Sequence, residues 1–129
     1  MRINALLTVW LLPLLFIGSA SAGSRSINSL EQALTDAKAP LVLDVRTQEE
    51  FDQGHISGAL LIPHNELENH LSALSGHRNI PVVVYCRSGR RAELARDILV
   101  NGGFKHVELL DGSFLDWQAA GKPVVAYQD

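Results

Sequence analysis

Cys86 is the only cysteine of the chain, and Arg87, Arg90 and Arg91 follow it closely in the stretch VVVYCRSGRRAEL from Val82 to Leu94. A thiol becomes a nucleophile only as thiolate, a form favoured by neighbouring cations and by the start of a helix. Between Cys86 and a helical segment beginning near Arg91 run Arg87, Ser88, Gly89 and Arg90, a loop in which Gly89 can take a conformation closed to other residues. Such a loop can turn successive backbone N–H groups inward as a nest for an anion. Three guanidinium groups at a helix start are each unfavourable by roughly a few tenths of a kcal/mol against the helix dipole, so their clustering implies a bound anion. Arg87, Arg90 and Arg91 are the candidates to hold it, with Ser88 and Gly89 contributing loop N–H groups. The competing reading, a thiol buried as a small hydrophobe, suits a lone cysteine in general. It does not explain the cations.

Spacing narrows the anion. Cysteine phosphatases place an arginine six positions after the nucleophile, but that position is Ala92 here and the arginine falls at Arg91. The loop is one residue short for a tetrahedral phosphate or arsenate. A single sulfur atom carried as a persulfide fits the smaller cradle.

The elements around the loop read as alternating strands and helices. Ser26 to Asn28 is a possible short strand, and Asn28 with Glu31 suggests a capped helix to about Ala37. Pro40 to Val45 is an apolar run of the kind covered on both faces. Thr47 and Glu50 form a capping-box pattern for a short helix to Gln53. Gly58 to Pro63 reads as a third strand, and Asn65 with Glu68 as the opening of a helix toward Leu74. Ile80 to Tyr85 is the strongest strand. Arg91 to Asn101 has helical period, with Ala92, Ala95, Ile98 and Leu99 on one face and Gly102 as its stop. Val107 to Leu110 and Phe114 to Gly121 complete the series as strand and helix. The expected fold is α/β, a mainly parallel sheet of about five strands with helices on both faces. Such sheets bind ligands beyond the carboxyl ends of their strands, where Cys86 lies.

The first 22 residues, MRINALLTVWLLPLLFIGSASA, carry one basic residue, an uncharged apolar stretch and Ala20-Ser21-Ala22. That pattern predicts a signal peptide cleaved after Ala22 and export, to a bacterial periplasm, with membrane contact only where the segment is retained. The segment from 23 to 129 would then be a single domain of 107 residues. Its 10 basic and 14 acidic residues offer no general attraction to nucleic acid. A single thiol cannot form an intramolecular disulfide.

The chain resembles a single-domain rhodanese, a thiosulfate sulfurtransferase, from about Ile27 to Val124. Three stretches carry the resemblance: LDVRTQEEFDQGHISGALLIP from Leu43, VVVYCRSGRRA from Val82 and GFKHVELLDGSFLDWQAAGKPV from Gly103. One departure stands out, since the family commonly has a Gly-Gly pair after its last strand and this chain has Asp111-Gly112-Ser113. The resemblance implies that Cys86 takes the outer sulfur of thiosulfate or a similar small donor, releases sulfite, and passes the sulfur to cyanide or a thiol, a protein thiol included. It implies no cofactor, and places Arg46 near the active site. Asp44 would at most orient Arg46 by a charge-assisted bond. The resemblance leaves room for a persulfide or redox carrier serving a protein partner, or a non-catalytic binding module.

The remaining marked residues have plainer readings. His55, in Gly54-His55-Ile56, is expected to satisfy backbone partners at a turn. His64, His70, His77 and His106 lack the pairing that a metal site needs. Glu49, Glu50 and Asp52 read as a solvated helix face, and Trp117 with Phe114 as a core anchor.

Overall fold

The computed structural model describes residues 21–127. Five strands, β1 (Ser21–Arg25), β2 (Leu41–Asp44), β3 (Leu60–Leu61), β4 (Val82–Tyr85) and β5 (His106–Leu110), form one sheet in the order β1-β5-β4-β2-β3. Every neighbouring pair is parallel. The helices are α1 (Ile27–Ala33), α2 (Gln48–Gln53), α3 (Leu67–His70), α4 (Arg90–Asn101) and α5 (Ser113–Ala119).

Strand β4 holds the centre because its four residues, Val82 to Tyr85, are buried on both faces. The two-residue period of a strand then divides the core. Val82, Val84 and Cys86 join Leu67 of α3 and Ala92, Ala95 and Leu99 of α4 on one side. Val83 and Tyr85 join Leu30 of α1 and Phe114 and Trp117 of α5 on the other. Burying a leucine such as Leu30 or Leu99 contributes about 1.5–3 kcal/mol before chain entropy is charged. Cys86 is thus the last inward position on the α4 side, at the carboxyl end of the sheet.

Helix α2 starts as the sequence predicts. The Thr47 hydroxyl accepts from the Glu50 N–H at 3.2 Å, and the Glu50 carboxylate accepts from the Thr47 N–H at 3.3 Å. Helix α4 ends at Gly102, whose N–H reaches the carbonyls of Ile98 and Leu99.

Several boundaries differ from expectation, α1 among them, which is capped before Asn28 and ends at Ala33 rather than about Ala37. The first strand is Ser21–Arg25 rather than Ser26 to Asn28, and Ser26 caps α1 by accepting from the Ser29 N–H at 3.1 Å. A Gly- and Ser-containing edge strand has no apolar alternation to announce it; its ladder to β5 defines it. The expected cleavage point after Ala22 therefore falls inside β1, while the rest of the apolar leader, residues 1–20, lies outside the described residues. Asn65 does not cap a helix: α3 opens at Leu67 after Glu66 without a side-chain cap, and Leu71–His77 continues as a 3-10 helix. Three residues per turn align half-buried Leu71 with buried Leu74, while Ser72, Ser75 and Gly76 favour α-helix little. Strand β3 shrinks to Leu60–Leu61 at the open edge of the sheet, with Leu60 exposed.

Candidate active site

Strand β4 delivers Cys86 to the start of a tight loop, and α4 begins at its far end. Gly89 sits at φ +121°, a backbone conformation strained for any residue with a side chain, and in that conformation its N–H points at Cys86 Sγ from 3.0 Å. The loop is tied from outside. The carbonyls of Cys86 and Arg87 accept from the N–H groups of Phe114 and Leu115, at 2.9 and 3.1 Å. With those carbonyls engaged by α5, the loop presents an amide rather than a carbonyl to the sulfur, as a group holding negative charge there requires. Cys86 as a whole is only 1% exposed, so a reagent must reach its sulfur with a slender terminal atom.

A cavity of about 490 Å³ opens beside the loop, walled by Arg46, Glu50, Gln53, Arg87, Phe114 and Gln118 among others. Cys86 is not part of its wall, and Arg87 links the two. Arg46 is buried, donating to both Asp44 oxygens, at 2.8 Å for the Nη2 bond, and to the Gly54 carbonyl at 2.7 Å. Its guanidinium carbon lies 4.1 Å from the centre of the Phe114 ring. Burial works to lower the Arg46 pKa, but the Asp44 bond and charge outweigh it and leave the pKa raised. Asp44 and Arg46, two residues apart at the end of β2, meet as their spacing suggests.

Arg91 has a different occupation from the expected anion. Its two terminal nitrogens donate to the two oxygens of Glu50 at 2.6 and 2.9 Å, a bidentate pair linking α4 to α2. The Arg91 bond is the main cause holding the Glu50 carboxyl at about 2, below the usual carboxylate range, with the Thr47 N–H assisting against burial. Glu50 in turn raises the Arg91 pKa, and the Cys86 sulfur adds a smaller push the same way. Glu50 is therefore not part of a merely solvated face, the reading its charged neighbours invited. It caps α2, pairs Arg91 and walls the cavity. Arg87 and Arg90 are exposed and, among the described residues, have no carboxylate partner. Ser88 is exposed at the loop's outer turn.

Residues 26–120 match the model of the rhodanese-like domain. The chain belongs to the rhodanese-like family. It is 38% identical over 98 residues to a sulfurtransferase of Allochromatium vinosum, covering 76% of this chain and 90% of that protein. It is 33% identical over 99 residues to the putative sulfur carrier protein YrkF of Bacillus subtilis, covering 77% of this chain and about half, 52%, of that one. The crystal structure of a thiosulfate sulfurtransferase from Pseudomonas aeruginosa superposes with a TM-score of 0.75 at 30% identity, over 81% of this chain and 20% of that longer one. The all-parallel five-stranded sheet with helices on both faces is the rhodanese-like fold.

Within this rhodanese-like site, sequence reasoning passed over Ser113. The residue is 1% exposed, and its hydroxyl accepts from the Cys86 N–H at 3.2 Å and lies 4.0 Å from Sγ. The available signal was the replacement of the family's usual second glycine. Phe114 has a double role, anchoring the α5 side of the core and forming the cavity wall under Arg46. His55 behaves as expected, with Nδ1 2.8 Å from the Phe51 carbonyl and its backbone paired to Val125. Trp117 is buried and donates to the Pro123 carbonyl at 2.9 Å.

Proposed function

We propose that the protein moves a sulfane sulfur from thiosulfate or a similar anionic donor, through a persulfide on Cys86, to cyanide or a thiol. The observation that carries this reading is the Gly89 N–H aimed at Cys86 Sγ from 3.0 Å within a loop whose carbonyls are held by α5. In the first step the Cys86 thiolate attacks the outer sulfur of thiosulfate. The sulfur–sulfur bond of the donor breaks, and sulfite leaves with the bonding pair. In the second step cyanide attacks the outer persulfide sulfur, thiocyanate departs, and the Cys86 thiolate is restored. Charge balances in both, and no cofactor takes part. Arg87, without a carboxylate partner among the described residues, receives the anionic end of the donor, and Gln53 and Gln118 offer amide N–H groups along the same wall.

A carrier that delivers the Cys86 sulfur to a protein thiol uses the same intermediate. The resemblance to YrkF, named as a putative sulfur carrier, favours this second reading of the acceptor. Export to a periplasm, with cleavage after Ala22, is proposed from the apolar leader and its Ala20-Ser21-Ala22 end.

The test is intact mass of the purified protein after thiosulfate and again after cyanide. One added sulfur that cyanide removes, absent from Cys86→Ser, is the expected result. A folded, reduced protein that gains no sulfur would overturn the thiosulfate reading.

A further inference from the structure

We propose that Ser113 belongs to the reacting centre, donating its hydroxyl proton in a hydrogen bond to Cys86 Sγ whenever that sulfur is a thiolate. The inference rests on the reading of Cys86 as the nucleophile.

Ser113 is, among the described residues, the only non-glycine with positive φ, at +54°. A left-handed conformation costs a residue with a side chain about 1–2 kcal/mol, which glycine avoids. The preceding Gly112 takes the same region at φ +68°, so the turn accommodates two left-handed residues, as the family's Gly-Gly pair would. Here the second position retains a side chain despite that strain. The side chain is buried, and its oxygen already accepts from the Cys86 N–H at 3.2 Å. A hydroxyl that uses a lone pair this way still has one proton to place. The partner the geometry offers is Sγ, 4.0 Å away, a pair drawn closer once the sulfur carries charge. Gly89 N–H then holds the sulfur from the loop and Ser113 O–H from α5.

A purely architectural role is the alternative, since the same hydroxyl ties α5 to the end of β4. Two substitutions separate them. Ser113→Gly removes the hydroxyl and relieves the backbone, whereas Ser113→Ala removes the hydroxyl and keeps the strain. Because Cys86 is the single thiol, thiolate absorbance in the ultraviolet can be followed against pH on the full chain, with Cys86→Ser subtracting the tyrosines. The charged groups on the elements that meet at the thiol are Arg91 with its partner Glu50, Arg90 and Glu93 at the start of α4, Arg87 in the loop, Asp44 with Arg46 at the end of β2, and Asp116 on α5. All are common to the three proteins.

The expected result is a midpoint moved upward by about one pH unit in both variants, a tenfold loss of thiolate well below it, with stability no lower in Ser113→Gly than in wild type. An unchanged midpoint in both variants, or a rise confined to the less stable one, would overturn the inference. Failure of the transferase reading would look different. Thiosulfate would then load no sulfur on the wild-type protein, whatever the two midpoints did.

Discussion

Arg46 and Arg91 both end on a carboxylate beside the same cavity, but their surroundings differ. Side-chain exposure is 4% and 0% for Arg46 and Asp44, against 27% each for Arg91 and Glu50. In the first pair the desolvation cost is already incurred, and the charges are held by two aromatic rings and the Gly54 carbonyl as well as by each other. Removing either partner strands the other in a dry environment. The second pair remains near solvent, where water and salt can substitute for a lost partner. The contrast separates a fixed piece of wall from an adjustable strap between α2 and α4. Among the described residues it also leaves Arg87 as a cation at the cavity without a carboxylate partner.

The largest effect should come from Asp44→Ala, which is expected to cost about 3–5 kcal/mol in denaturant unfolding. A loss below about 1 kcal/mol would mean that Arg46 finds other company, and the contrast between the pairs would collapse. Next, Arg87→Ala should raise KM for thiosulfate about tenfold, near 1.4 kcal/mol, and leave an uncharged persulfide donor almost unaffected. Equal losses for both donors would assign the anionic end elsewhere. Glu50→Gln should be the mildest, about 1 kcal/mol near neutral pH, because the amide can still take part in the cap.

That last difference has a pH signature. The Glu50 carboxyl is lowered from 4.5 to about 2 in the folded protein, so its stabilisation is fully present above 4.5 and is lost as pH falls toward 2. The stability gap between wild type and Glu50→Gln should therefore close over that interval in a pH series of unfolding curves. A gap that persists at the acid end would show that the bond to Arg91 is not what Glu50 supplies.

Much of the fold was legible because its signals are local. Val82 to Tyr85 reads as a buried strand, Thr47 and Glu50 as a cap, and Gly102 as a stop, each from neighbours within a few residues. The Cys86 loop and the Asp44–Arg46 contact are local too. What the sequence did not disclose depends on distance along the chain: Arg91 and Glu50 are 41 residues apart, and Cys86 and Ser113 are 27 apart. No periodicity connects such residues; only the sheet and its crossing helices do. The edge strand β1 escaped for the related reason that its partner β5 lies near the far end of the chain.

Strand β1 also sets a condition on the proposed cleavage after Ala22. A peptidase that cuts after Ala22 needs an extended, accessible segment, yet Ser21 and Ala22 sit in the finished sheet opposite His106 and Val107. If the proposed cleavage at that bond takes place, it belongs to the interval before β5 has docked beside β1. Once clipped, the new amino terminus at Gly23 retains three pairings, with Glu108, Leu109 and Leu110, and Arg25 still grips Glu108 at 2.6 Å. Maturation and closure of the sheet edge would then be successive steps, the first being timed by how late the last strand is made.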